Sequence, residues 1–350
     1  RRAGDMRVTI LDEFMLDDGE DADHLIKKVV SEYGDDSVQQ LVGVQYVVEG
    51  ASNLLTKILE RRRFASYLEQ STRFIYFDLK DANSKFLYYI PELSDDMRRM
   101  YVQAMDTIFD RYSAIVRGVT DYLRKKNPEP ADKKDRAAWI SSTRATACDA
   151  VRPVLPAATK STVGIFASAQ AADLMIMDLL SDILPEARVV GHQLLGELRK
   201  IIPAFLERTD QPSRGGMISA HRFNTRATMR ELAGKYLQYI EVKMPDQNVK
   251  LISYWPENEL DLVPEMLFEH SEPLSLSEIQ EQVSRFSEEK KAEIFNAYFG
   301  ERFNRRHKPG RAMEKAHFEW EIVGDYGTFR DLQRHLVVDT WEWQRLSPVF

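Results

Sequence analysis

The stretch Tyr33–Phe74 constrains this chain more than any other. It sets three consecutive arginines, Arg61, Arg62 and Arg63, directly ahead of Ser66, Glu69, Ser71 and Arg73. A guanidinium is a planar, permanently charged fork that grips phosphate or carboxylate oxygens in pairs, and hydroxyls and backbone amides complete such a pocket. The arrangement points to an anionic ligand. The plain alternative for the triplet is a solvated helix end, where cations sit favourably against the helix dipole.

The spacing Arg61-Arg62-Arg63, Ser66, Leu68-Glu69, Ser71, Arg73-Phe74 resembles the signature of the flavin-dependent thymidylate synthases. In that family the signature runs Arg-His-Arg, two residues, Ser, one residue, Asn-Glu, one residue, Ser, one residue, Arg-Tyr. Arg62, Leu68 and Phe74 depart from it. Upstream, Gly34-Asp35-Asp36-Ser37-Val38 looks like the family's Gly-His-x-Ser-Val turn. Downstream, Arg152-Pro153-Val154-Leu155-Pro156 is similar to its Ala-Arg-x-x-Leu-Pro element, with Val151 in place of the alanine. Ser168 and Gln170 stand near positions where the family has Asn and Arg, and Leu179 falls where a pyrimidine-binding arginine is expected.

The resemblance implies a known reaction: FAD, reduced by NADPH, passes the methylene of methylenetetrahydrofolate to dUMP and supplies the hydride that makes dTMP. It places Ser37, Arg61, Arg62 and Arg63, with Arg334 and His335, at the flavin. It places Ser66, Glu69, Ser71, Arg73 and Arg152 at the nucleotide. No protein nucleophile is implied, and Cys148 lies in an apolar helical segment with no histidine nearby in sequence, a poor setting for one. Two other readings stay open. One is a degenerate homologue that keeps a nucleotide or flavin pocket as a binding or structural protein. The other is an enzyme acting on a different pyrimidine nucleotide.

A net charge of -7 argues against general nucleic-acid binding, which needs a basic face. One cysteine excludes an intramolecular disulfide framework and any cysteine-rich metal site, and it suggests a reducing cytoplasm. No apolar run approaches the roughly 20 residues that span a bilayer. The acidic pairs Asp17-Asp18 and Asp35-Asp36 read as turns and helix starts, because no His or Cys stands at ligand spacing.

Along the chain, residues 6–14 read as a strand and 21–34 as a helix stopped by Gly34. Residues 37–63 read as two helical segments broken near Gly50, although the β-branched VGVQYVV leaves a strand open. The aromatic runs 72–79 and 86–90 read as strands around an Asp81–Ser84 turn. A long helix follows over about 94–126, then a polar loop at 127–135. Helices are expected at 139–156, 163–180 and from Pro185. From Val249 a strand, a helix near Glu259 and an amphipathic helix or pair over 275–299 suggest a new unit. The basic run Asn304–Arg311 reads as a solvated turn or a phosphate contact.

The closing stretch resembles the opening one. Gly310, Glu314, the run FEWEIV, Gly324, a helix and Gln333-Arg334-His335 follow the order found from Gly34 to Arg61. This implies a tandem duplication with a partial second copy, and for His335 the plain alternative is a surface or satisfied core residue. The expectation is therefore a helix-rich α+β protein with a small, mostly antiparallel sheet. Its first thymidylate synthase-like domain covers 1–208, a linker region 209–248, and a partial second domain 249–350. Family members are homotetramers, so a homo-oligomer, a tetramer or a dimer of tandem chains, follows.

Overall fold

The computed structural model describes residues 39–62, 64–238, 240, 243, 246–335, 342–344 and 346. The strand and helix expected before residue 37, and the site candidates Ser37 and Arg63, lie outside the described residues. The chain divides into two compact units, 1–240 with 330–343, and 241–329 with 344–350.

The first unit is built on a three-stranded antiparallel sheet of β1 (Gly43–Ser52), β2 (Ala65–Glu69) and β3 (Lys160–Ser168), with β3 in the middle. The helical reading of 43–50 gives way to the strand alternative. Val44, Tyr46 and Val48 turn toward the core while Gln45, Val47 and Glu49 are exposed, a period of two that a helix could not keep. Gly50 does not break a helix; it takes a φ of 68° where the β1–β3 register shifts between Val48 and Ala51. β1 ends at Ser52, whose hydroxyl caps α1 (Asn53–Leu59) by accepting from the Leu55 amide.

The single helix expected over 163–180 is instead β3 followed by α4 (Ala169–Leu180), with Ser168 as the N-cap. Val163, Ile165 and Ala167 alternate inward, and this strand period was hidden by the apolar run that continues into the helix. The expected strands at 72–79 and 86–90 do not form. Phe77, Phe86 and Tyr88 instead plug irregular backbone into a core, with only an isolated bridge from Tyr88 to Thr159. The Asp81 turn does form, its carboxylate accepting from the Asn83 and Lys85 amides.

Two cores hold this unit. In one, the sheet's Val44, Val48, Val163 and Ile165 pack on Leu55 and Leu59 of α1, Met175, Ile176 and Leu179 of α4, and Leu195 and Leu198 of α5 (Pro185–Leu198). In the other, Phe109, Tyr112 and Val116 of the long α2 (Asp95–Lys126) meet Ala147 and Val151 of α3 (Lys133–Val151). α2 thus gives the core one face of its middle turns, while Met97, Met100 and Ile115 stay exposed. α3 begins inside the expected loop because Asp132 caps it, and it runs into a 3-10 turn over Arg152–Val154. A short helix α6 (Pro203–Leu206) precedes α7 (Gly215–Leu237), which occupies the stretch read as a linker region.

The second unit pairs β4 (Val249–Trp255) with β5 (His317–Ile322), antiparallel. A separate core of Leu262, Val263, Met266, Ile279 and Val283 gathers α8 (Val263–Phe268), α9 (Leu276–Val283) and α10 (Glu288–Phe299). α9 starts on a capping box between Ser275 and Glu278. α11 (Tyr326–Leu332) starts in this unit, and its last residues, from Arg330, belong to the first. The architecture is α+β with small antiparallel sheets, as the sequence led us to expect.

Candidate active site

The signature lies on β2 and the turn that follows it, not at a helix end alone. Along β2, Tyr67 and Glu69 turn inward while Ser66 and Leu68 are exposed. Leu68, at the family's asparagine position, is 79% exposed, and Ser66 shares its side of the strand. Ser66 is therefore not brought to Glu69. After the strand, the Ser71 hydroxyl accepts from the Arg73 amide at 3.2 Å and tightens the turn.

A cleft of about 260 Å³ opens here, lined by Glu69, Ser71, Thr72, Arg73, Phe74, Arg152, Arg330, Asp331 and Arg334. Four of the five nucleotide candidates thus meet in one place, joined by a helix end whose Arg330 lies 261 positions from Glu69. The Arg73 and Arg152 guanidiniums face each other across two carboxylates. Asp149, on α3 three residues before Arg152, takes the Nε of both arginines, at 3.1 Å and 3.3 Å. Asp331 takes the terminal Nη2 of both, each donating at 3.0 Å to the same oxygen, Oδ2. Asp331 lines the cleft and Asp149 does not.

Behind the cleft lies a buried ionic cluster. The Lys57 ammonium, with a side chain only 3% exposed, contacts both Glu60 and Glu69. Arg330 reaches Glu69 at 3.2 Å, and Arg334 lies 3.5 Å from Glu69 and 3.9 Å from Glu60. Gln333, buried, donates from Nε2 to the Lys57 carbonyl at 2.7 Å and ties this segment to α1. The two carboxyls diverge. Burial works to raise Glu69, but Lys57 and Arg330 outweigh it and hold it below the usual carboxylate range. For Glu60 burial prevails over Lys57, and the neighbouring Glu69 adds to it, so this carboxyl is raised.

The flavin candidates scatter more. Arg61 is exposed, and its guanidinium lies 5.2 Å from the centre of the Trp343 ring. Arg62 forms an ion pair with Asp178 of α4, a carboxylate that Arg222 of α7 also holds at 3.0 Å. Its carbonyl accepts from the Tyr67 hydroxyl at 2.9 Å, so Arg62 fastens β2 to the helices behind it. Arg334 sits at the ionic cluster, and His335 is exposed. Leu179 is fully buried in the core, and a Cβ on Gly191 would come 3.0 Å from its own Cβ. Leu179 does not line the cleft. Among the described residues no group of His, Cys, Asp and Glu is placed to hold a metal ion.

Sequence reasoning missed Lys57, Glu60, Asp149, Arg330 and Asp331. Helical spacing carried a usable signal: Lys57 and Glu60 are three apart, as are Asp149 and Arg152, and Arg330 lies four before Arg334.

A sequence profile described as thymidylate synthase complementing protein matches residues 5–204. A UPF0159 protein of Chlamydia pneumoniae is 33% identical over 326 residues, 92% of this chain and 60% of that protein. The chain thus spans about three fifths of that relative's length. A flavin-dependent thymidylate synthase of Clostridium tetani is 26% identical over 127 residues, 34% of this chain and 49% of that protein. Among solved structures, the flavin-dependent thymidylate synthase of Helicobacter pylori, complexed with FAD and dUMP, has a TM-score of 0.39 and 16% identity, covering 55% of this chain and 84% of that one. The profile match takes in both the Arg61–Phe74 signature and Arg152, and the chain belongs to the thymidylate synthase complementing protein family, that of the flavin-dependent thymidylate synthases.

Proposed function

We propose that this chain binds a pyrimidine nucleoside monophosphate, dUMP first among them, with its phosphate on Arg73 and Arg152. We further propose that it carries out the reductive methylation of dUMP to dTMP with methylenetetrahydrofolate and NADPH. The observation that carries this reading is the convergence of two guanidiniums on a single carboxylate oxygen at the mouth of the cleft. A phosphate oxygen is an acceptor of the same kind, and charge-assisted bonds of this type supply both affinity and position. Ser71 uses its oxygen to accept from Arg73, which leaves the hydroxyl proton for an anion. Glu69, held ionised by Lys57 and Arg330, is placed to accept from a sugar or base donor.

The described residues suit a flavin at one place: Arg61, an exposed cation beside the Trp343 indole, offers charge for a diphosphate and an aromatic plane for a ring system. When bound, FAD supplies the redox chemistry that no side chain here can. Arg61 would hold and orient it, with Arg334 and His335 as the further flavin contacts that the family resemblance implies. Arg62 supports β2 through Asp178, and Cys148, fully buried and pushed up to about 11 by burial, takes no nucleophilic part.

Residues 249–350 are, in this proposal, a partial second copy. β5 followed by α11 and Arg334 runs in the same order as β1 followed by α1 and Arg61. A cytoplasmic homo-oligomer completes the proposal. A second reading has its own support: Leu179 is locked in the core, so the base lacks the arginine contact expected of the family. In that reading the protein acts on another pyrimidine nucleotide, or binds one without turning it over.

The test is visible absorption of the purified protein after FAD is added and the excess removed, followed by NADPH oxidation with and without dUMP and methylenetetrahydrofolate. A retained flavin band and dUMP-dependent oxidation support the synthase. A folded protein with neither moves the assignment to a protein that binds a nucleotide without turning it over.

A further inference from the structure

Arg73 and Arg152 are already bridged by an internal anion, and the way they are bridged is uneven. Asp149 holds the stem-side Nε of each guanidinium from outside the cleft. Asp331 holds the outward Nη2 of each from within the cleft lining. The first carboxylate fixes the forks in place. The second occupies the position that a ligand phosphate must take. Asp331 is itself half exposed and stands on the last turn of α11, so its side chain can leave without opening a core.

We infer that Asp331 is a specificity-determining residue: a built-in carboxylate that a nucleotide must displace from Arg73 and Arg152. This inference rests on the phosphate site proposed above. The exchange sets a threshold. A dianionic monophosphate carries more charge and more acceptor oxygens than a carboxylate, so it wins both arginines. A nucleoside, or a ligand ending in a single carboxylate, gains nothing by the exchange and is refused. The arrangement thus discriminates by terminal charge rather than by base. It also keeps the paired guanidiniums neutralised when no ligand is bound, at the cost of weaker nucleotide affinity.

The experiment compares two isosteric changes that remove the same charge, Asp331→Asn and Asp149→Asn, in the full chain. Calorimetric titration with dUMP and with uridine follows each. Losing the competitor in Asp331→Asn tightens dUMP about tenfold, the worth of one charge-assisted bond, with uridine unaffected. Losing the brace in Asp149→Asn weakens dUMP or leaves it unchanged. Equal tightening in both variants overturns the inference, because it marks a general gain in positive potential. Unchanged dUMP affinity in Asp331→Asn overturns it as well. Failure of dUMP to bind wild type and both variants refutes the phosphate site itself, and the inference with it; binding to wild type with no response to Asp331→Asn refutes the inference alone.

Discussion

Replacing Lys57 by Met removes the cation that two buried carboxylates share. Lys57, Glu60 and Glu69 each have side chains no more than 4% exposed, so water cannot take the ammonium's place. Breaking a buried pair by deleting one partner costs about 3–5 kcal/mol. Here the lower end applies: Glu69 keeps Arg330 at 3.2 Å and Arg334 at 3.5 Å, while Glu60 is left with Arg334 at 3.9 Å. The expected loss is about 3 kcal/mol at pH 8. Glu60 is already raised above the usual carboxylate range, chiefly by burial. Without Lys57 its folded-state pKa rises further, and a raised carboxyl destabilises increasingly as pH climbs through it. The deficit therefore shrinks at pH 5, by about 1 kcal/mol, as Glu60 takes up a proton. Urea unfolding followed by circular dichroism at both pH values measures this, and Lys57→Met/Glu60→Gln should recover a large part of the loss. A deficit below about 1 kcal/mol, or one equal at pH 5 and pH 8, refutes the claim that this cluster is a dry, interdependent unit.

Glu186 accepts from both the amide and the hydroxyl of Ser52, and burial raises its carboxyl despite those bonds. The wild type therefore loses stability as pH rises through that group, whereas Glu186→Gln flattens this part of the profile, and Glu186→Ala costs about 2 kcal/mol by orphaning Ser52; a stability profile identical in Glu186→Gln and wild type counts against this. Cys148 is fully buried, with its thiol pushed up to about 11, so thiol reagents at pH 8 should label it only upon unfolding. Rapid labelling of the native protein contradicts the packing described.

Much of the fold could be read from the chain, as could Glu69, Ser71, Arg73 and Arg152, the candidates that line the cleft. The long α2, β4 and the α9–α10 pair followed from their apolar patterns, and the spacing from Arg61 to Phe74 led to the family. What stayed hidden was of two kinds. Short strands merged with neighbouring helices: β1 and β3 are apolar enough to be read either way, and only the antiparallel pairing of Tyr46 and Tyr67 with Ile165 decides the period. The other kind was long-range. Lys57, Asp149 and Arg330 bear ordinary charges on ordinary helices, and only the tertiary fold makes them neighbours of Glu69 and Arg73. The partner of Arg62 was hidden in the same way, since Asp178 lies over a hundred positions on. A charge run in sequence names candidates; which of them face a ligand and which are spent on internal carboxylates depends on the packing.

The central claim is that Arg73 and Arg152 receive a nucleotide phosphate. Its most direct test is calorimetric titration of dUMP into wild type and Arg152→Ala, with uridine as the phosphate-free control. The account predicts measurable dUMP binding to wild type, about tenfold weaker binding in the variant, and much weaker binding of uridine to either. Equal affinity of wild type and Arg152→Ala for dUMP, or equal affinity of wild type for dUMP and uridine, would contradict it.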